Sequence, residues 1–314
     1  MKRFNLFAIG FIALISFACN VPETTPVVPT DTKEFNVSIG FSGIEISETP
    51  ISRASEAKDW YAFQVYSKPE NSNSSYSYYA YGFFDNKKDM IISLKAGYEY
   101  KFDVSMAVEG SKKVYKFSLA NAGWAEINNS FVISSTEHVR FMYEGYLYMK
   151  PNDTYDRPAV DRFFGSTSGF IPSENSKVNI EMKRVAFGAR FVPKDFTEGS
   201  LEISIEGSKI LTMTAGIDTE LTEIISFNNI SNTSDDYFEN IPVNIVWVKP
   251  DGVRTPIVNE TIAYKRNVCT TIEFVVADQN STSGIDIFAN ETMTEGETII
   301  ADQDGINTEV NPNK

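Results

Sequence analysis

Tandem antiparallel β-sandwiches are the fold this sequence predicts, and three observations predict it. Apolar and polar residues alternate with a period of two along most of the chain, as in Phe35-Asn-Val37-Ser-Ile39-Gly-Phe41. No stretch of about 12 residues carries the 3.6-residue apolar stripe of a helix that buries one face. The apolar runs are short and are punctuated by Gly, Pro, Asn and Ser, which suits hairpins better than βαβ crossovers. With 314 residues, 42% of them hydrophobic and 22% charged, the chain can build cores for one large or two medium domains.

The N-terminus comes first. Met1-Lys2-Arg3 followed by the apolar run from Leu6 to Ala18 has the charged and hydrophobic regions of a secretory signal. The run falls short of the ~20 residues that span a bilayer. It ends in Ser16-Phe17-Ala18-Cys19, which resembles the lipobox of bacterial lipoproteins, with Ser16 where Leu is usual. That resemblance implies a signal peptide over 1–18 and acylation of the Cys19 thiol. The lipid is then the contact with the membrane, at ~0.8 kcal/mol per buried CH₂. Residues 19–32, with Pro22, Pro26 and Pro29, read as an extended lipid-anchored tether. Cys269 is left as the other cysteine of the chain, a small apolar residue suited to burial.

The strands then follow in order. Phe35–Phe41 alternates, and Trp60–Tyr66 is apolar on both faces for part of its length. Met90–Leu94 and Tyr98–Met106 are parted by Lys95-Ala96-Gly97. Further strands are predicted at Val114–Leu119, Val139–Tyr143, Val178–Met182, Val185–Val192, Leu201–Ile205, Ile210–Met213, Val243–Val248, Glu260–Tyr264 and Thr270–Val276. Val178–Met182 ends one alternating run and Val185 begins the next with almost no linker, which sets a boundary near Arg184. The N-terminal sandwich is therefore expected over 33–183 and the C-terminal one over 184–277. Residues 278–314 read as an acidic tail with a hairpin between Ile285–Ala289 and Glu297–Ala301.

Charge and rare residues exclude several function classes. A net charge of −14 repels phosphates, so no nucleic-acid partner is expected. One histidine excludes multi-His metal sites. His138, in Thr136-Glu137-His138-Val139, has no nucleophile motif around it, so no catalytic residue is assigned and no enzyme is expected. Asp302-Gln-Asp304-Gly305 looks like the front of a calcium loop, but Asn313 stands where the closing Glu belongs. No metal site and no cofactor are expected. The densest aromatic stretch is Tyr76-Ser-Tyr78-Tyr-Ala-Tyr81-Gly-Phe83-Phe84. As a strand it puts Tyr76, Tyr78 and Phe84 on one face and Tyr79, Tyr81 and Phe83 on the other. One set fills the core, and Tyr79, Tyr81, Tyr146 and Tyr148 are the candidates for stacking on sugar rings.

Four segments in order resemble the fimbrillin-like lipoproteins of Bacteroidetes, the superfamily of type V pilus subunits. They are Pro50-Ile51-Ser52-Arg53-Ala54 before the strand Trp60–Tyr66; Asp161-Arg162-Phe163-Phe164-Gly165; Val178–Arg184, ending in Lys-Arg; and Tyr264-Lys265-Arg266-Asn267 before Thr271-Ile272-Glu273-Phe274. The resemblance implies two transthyretin-like β-sandwiches on a lipid anchor at the outer membrane. It also implies proteolytic maturation between Arg53 and Ala54, loss of Phe35–Phe41, and strand donation by a like pilus subunit into the vacated groove. From Ile306 onward the tail has only Ile306 and Val310 as large apolar residues, which departs from a donor strand. The function expected is that of a pilus (fimbrium) component or adhesin, exposed at the cell surface. The alternative is a non-polymerising carbohydrate-binding surface lipoprotein with a glycan or host-surface ligand.

Overall fold

The computed structural model of the chain describes residues 33–43, 57–114, 117–119, 123–138, 147–150, 153–276 and 285–293. The first half runs β1 (Glu34–Ser42), β2 (Trp60–Pro69), β3 (Ser77–Phe84), a 3₁₀ turn at Lys87–Asp89, β4 (Ile91–Lys95) and β5 (Tyr98–Ala107). A short helix α1 (Gly110–Lys113) follows, then β6 (Phe117–Leu119), β7 (Gly123–Ala125), β8 (Ser130–Ile133), β9 (Leu147–Lys150) and β10 (Asp153–Tyr155). The half closes with β11 (Arg162–Phe170), β12 (Lys177–Glu181) and β13 (Lys183–Arg184). The second half runs β14 (Ala186–Lys194), β15 (Ser200–Ile205), β16 (Leu211–Thr214), β17 (Leu221–Ser226) and β18 (Phe238–Val248). It ends with β19 (Arg254–Lys265), β20 (Val268–Val275) and β21 (Ile285–Thr292). The all-β sandwich fold predicted from the alternation is the fold observed.

Each half is built on one seven-strand circuit. In the first, β12-β1-β4 faces a sheet whose centre is β11-β5-β2-β3; in the second, β20-β14-β17 faces β19-β18-β15-β16. Taken in chain order, the strands of the two halves correspond one to one, and so do the senses of pairing. The two sheet systems are antiparallel except where the first strand of a circuit meets its last. There β1 pairs parallel with β12, and β14 pairs parallel with β20. Alternation reveals which face of a strand is buried but not which strand lies beside it, so these parallel pairs were not visible in the pattern. The first half adds residues 108–161 between β5 and β11, and from this insertion β8 extends the sheet beyond β3. The second half adds β21 on the outer edge of β20.

Alternation places the cores. Val37, Phe63, Val65, Ile92, Phe102, Val104, Val178 and Ile180 fill the space between the first pair of sheets. Phe187, Phe191, Leu201, Ile203, Ile245 and Ile272 do the same in the second. A third cluster lies on the other face of the six-stranded sheet, where Ala62, Tyr81, Phe83, Val160 and Phe164 meet Val185 and Ile230 of the second half. That is why Phe163 and Phe164, adjacent on β11, are both buried: one faces each core.

Two local expectations are corrected. Val114 is the cap of a helical turn rather than a strand residue: Gly110–Lys113 forms one turn, closed by the Val114 N–H donating to the Gly110 carbonyl, and the next described strand is β6. In the aromatic strand β3, Val65 pairs with Ala80 but Tyr66 pairs with Tyr78, so Tyr79 is an extra residue. This bulge reverses the expected sides, because one inserted residue shifts every later side chain to the opposite face. Tyr79 joins Ala80 and Phe84 against the first core, and Tyr78 joins the face of Tyr66 and Tyr81. Ile285–Ala289 is a strand, extended to Thr292 and paired with β20, while its expected hairpin partner Glu297–Ala301 lies outside the described residues. Val139–Tyr143 also lies outside them.

Candidate functional site

The first strand occupies a slot rather than an edge. β1 lies between β12 on one side and β4 on the other, with a five-residue register to each. Val37 and Ile39 point inward and are buried, Phe35 and Phe41 pack on the same core, and Asn36 and Ser38 face out. The Phe41 ring stacks on Tyr61 with centroids 5.5 Å apart and planes 13° apart. The ends are fixed as well: Ala96 N–H donates to the Lys33 carbonyl at 2.8 Å and Met182 N–H to the Ser42 carbonyl at 2.8 Å. β4 and β12 do not pair with each other among the described residues. Without β1 they would be left about 9.6 Å apart, two strand spacings, with backbone donors and acceptors unsatisfied on both sides.

Strand direction sets the polarity of this slot. β1 and β12 run parallel, so Ser42 lies beside Glu181 at the end where the chain passes into β14. Lys33 lies at the opposite end, beside Ala96. The described chain therefore begins, at Lys33, at the pole away from the second half. The segment carrying Arg53 and Ala54 leaves from Gly43 and returns at Ala57, both at the junction end. At Gly43, with φ of +72°, a Cβ would meet the Met182 carbonyl oxygen at 2.7 Å, so the chain turns out of the slot on a residue that must be glycine. Cys19, Arg53 and Ala54 themselves lie outside the described residues.

Three of the four motif segments meet at the junction between the halves. Arg184 is buried, and its Nε donates to Asp161 Oδ1 at 3.0 Å while Nη1 donates to Asn267 Oδ1 at 2.8 Å. Its guanidinium lies 5.1 Å from the centroid of Phe163. Arg266 Nη1 donates to the Arg184 carbonyl at 3.0 Å, and its other arm reaches Asp235. Asn267, left-handed at φ of 57°, donates its N–H to the Ala186 carbonyl at 2.9 Å. Burial pushes the Asp161 carboxyl above its ordinary range, and the Arg184 guanidinium opposes that shift. At Gly165 a Cβ would meet the Glu181 carbonyl oxygen at 2.5 Å and Met182 Sδ at 2.6 Å, so the glycine of that motif lets β11 approach the β12–β13 chain. Arg157 adds a bond to the Glu206 carbonyl at 3.0 Å and an ion pair with Glu239 at 2.7 Å. The motifs thus mark a clasp that joins the sandwiches, and their residues have structural partners.

The tyrosine candidates separate. Tyr81 is 8% exposed and its hydroxyl donates to Glu137 Oε2 at 2.8 Å; burial first, and then that carboxylate, push its pKa to about 12. Tyr79 is half-buried by the bulge, donates to the Ser93 carbonyl at 2.9 Å and meets Tyr100 edge-on at 5.1 Å. Burial raises its pKa too. Tyr81 is thus buried and Tyr79 half-buried, each with its hydroxyl bonded inside the fold. Tyr148 lies on β9, of whose side chains nothing is described, and Tyr146 lies outside the described residues.

The rings that do share the outer face form a closed column. His138 stacks on Tyr78 at 4.9 Å with planes 1° apart, Tyr78 leans on Tyr66 at 5.4 Å, and Lys101 Nζ sits 5.2 Å from the Tyr66 centroid. Lys101 in turn pairs with Asp103 at 3.1 Å, and Ser166 donates to Asp103 at 2.6 Å. The column ties the segment after β8 to β3, β2, β5 and β11. Among the described residues no group of three or more His, Cys, Asp or Glu is placed to hold a metal ion. No helix among them is long and apolar enough to cross a membrane.

No family model matches the chain, and no curated protein matches it. Several solved structures are similar to it. A candidate adhesin from Bacteroides thetaiotaomicron is 11% identical with a TM-score of 0.39, over 82% of this chain and 96% of that one. The fimbrial anchor protein Mfa2 from Porphyromonas gingivalis is 8% identical with a TM-score of 0.36, over 82% and 98%. The tip fimbrial protein Mfa3 of the same organism, with a C-terminal truncation, is 9% identical with a TM-score of 0.33, over 82% and 99%.

Proposed function

We propose that this chain is a surface-exposed lipoprotein, anchored through lipid on Cys19, that serves as a pilus component or adhesin without catalysis. The observation that supports this reading best is the position of β1. The first described strand occupies the middle of a three-stranded sheet, where a strand from another subunit would find every backbone group and apolar pocket it needs. An exchangeable strand must be held firmly enough to keep the precursor folded. Burial of Val37 and Ile39 contributes about 3–6 kcal/mol toward that.

Mass spectrometry of the mature protein from its native membrane fraction tests the reading. A mature N-terminus at Ala54, with 19–53 recovered separately, supports maturation at Arg53 and strand exchange. Acylated Cys19 joined to the rest of the chain in every molecule sinks strand exchange and leaves an anchored adhesin. Loss of the signal sequence with no lipid on Cys19 sinks the anchor itself. The glycan-binding alternative draws no support from Tyr79 and Tyr81, whose rings and hydroxyls are committed within the fold.

A further inference from the structure

We propose that the outer edge of β12 docks a second copy of this chain, the two β12 strands pairing antiparallel about a two-fold axis at Asn179. On β20, the equivalent strand of the second half, the outer edge is covered by β21. On β12 it has no partner among the described residues. The Met182 N–H donates to the Ser42 carbonyl, so the even-numbered residues of this segment turn their backbone groups to β1. Lys177, Asn179 and Glu181 therefore turn theirs to the outer side, since the direction alternates along a strand. At the Glu181 end β11 passes close through Gly165, which sets no side chain against the Glu181 carbonyl. An unpaired row of this kind is a template for another strand, and β12 carries neither a proline nor a register shift to interrupt it.

The charges select the occupant. Along Lys177-Val178-Asn179-Ile180-Glu181 burial alternates, so that Lys177, Asn179 and Glu181 share the solvent face while Val178 and Ile180 share the core face. An edge guarded by charges of one sign repels its own copy. Here the two charges are opposite and stand two residues on either side of Asn179. An antiparallel pair centred on Asn179 therefore sets Lys177 of each copy against Glu181 of the other, at both ends of the interface. Val178 of each copy meets Ile180 of the other on the core side, and Asn179 meets its own counterpart. Both copies keep their apolar residues on the same side, so β4-β1-β12 continues through the axis into one sheet of six strands. β1 stays seated in this arrangement, so the pairing does not depend on strand exchange. Five residues a side fall short of the roughly 1,200 Å² that stable complexes bury, so the dimer is a weak one.

Sedimentation velocity of the full chain over a concentration series tests this, with hydrogen exchange of the 177–181 amides followed over the same series. The parent should dimerise reversibly, and those amides should exchange more slowly as concentration rises. Lys177→Glu and Glu181→Lys should each weaken the dimer at least about tenfold, because each sets like charges opposite one another at both ends. The double variant exchanges the two charges and should recover the parent affinity. An equimolar mixture of the two single variants should recover it as well, which also shows that both fold. A parent that stays monomeric overturns the proposal, and so does a dimer indifferent to the single changes. Losses that neither the double variant nor the mixture restores overturn it too.

Discussion

Replacing Arg184 by Ala would strip the junction of its central cation and leave Asp161 buried without it. In the native protein, burial already raises the Asp161 carboxyl, and Arg184 at 3.0 Å is the main opposing influence. Removing one partner of a buried ion pair typically costs about 3–5 kcal/mol, because the remaining charge keeps its desolvation penalty. At a urea m-value of about 2–3 kcal/mol/M, the midpoint should fall by roughly 1–2.5 M at pH 7. The sign of the pH dependence follows from linkage. A carboxyl whose folded pKa lies above its unfolded one binds more protons when folded, so stability falls as pH rises between the two values. In Arg184→Ala that window widens, and acidifying from pH 7 toward pH 5 should recover up to about 1.4 kcal/mol per unit relative to the parent. The assay is urea unfolding followed by tryptophan fluorescence at both pH values. A second variant, Asp161→Leu with Arg184→Met, separates charge burial from packing, since replacing both members of a buried pair is commonly near neutral. A loss below about 1 kcal/mol at pH 7, or a cost identical at pH 5 and pH 7, would refute the clasp.

Other outcomes follow from the same geometry. Gly165→Ala should cost about 1–3 kcal/mol, because its Cβ would lie 2.5 Å from a backbone oxygen that cannot swing aside; unchanged thermal stability would count against the close approach of β11 to β12. Tyr81 ionises only near pH 12, so the absorbance change at ~295 nm up to pH 11 should be the same in Tyr81→Phe as in the parent. A smaller change in the variant would mean that the ring is open to water. The carboxyl of Asp85 is held below its ordinary range by hydrogen bonds from Lys58 and Asn129. Its contribution is therefore present above the unfolded pKa and lost as pH falls through the folded one. Asp85→Asn should accordingly narrow the stability difference between pH 7 and pH 3, and an undiminished difference would remove Asp85 from the acid response.

The sequence made the sandwich legible wherever alternation was undisturbed. Val37 and Ile39, Val178 and Ile180, and Leu201 and Ile203 each face the core that their spacing predicts. Three kinds of feature escaped it. A bulge is one residue of extra length in one strand, and nothing in Tyr78-Tyr79-Ala80 distinguishes it from continuous pleating. β17, Leu-Thr-Glu-Ile-Ile-Ser, lacks alternation because Ile225 and Ser226 are both buried, the latter where the junction covers its side. Arg162 is wholly buried on the face that meets the second half and donates to Ser105 at 2.9 Å, an environment created by tertiary packing that a strand pattern cannot announce. The motif segments were visible as a set, and what brings them together is the clasp at the junction.

The order of features along the chain constrains any use of the slot. Cys19 precedes β1 in the chain and Arg53 follows it, so with lipid on Cys19 β1 would be the covalent bridge between membrane and body. Cleavage at Arg53 would convert that bridge into a non-covalent one. The cut protein would stay on the membrane only while β1 remained seated, held by pairings to two neighbours and by the burial of Val37 and Ile39. Those contacts lie deep in the sheet, so departure of β1 requires either local opening of the first half or stepwise replacement by an incoming strand that takes over the pairings one by one. The second route never exposes the whole slot to water, and it should therefore be the faster. A cut protein should accordingly release labelled 19–53 slowly by itself and faster with increasing concentration of a peptide that copies Phe35–Phe41. Release at the same rate with and without that peptide would exclude strand exchange as the way the slot is used.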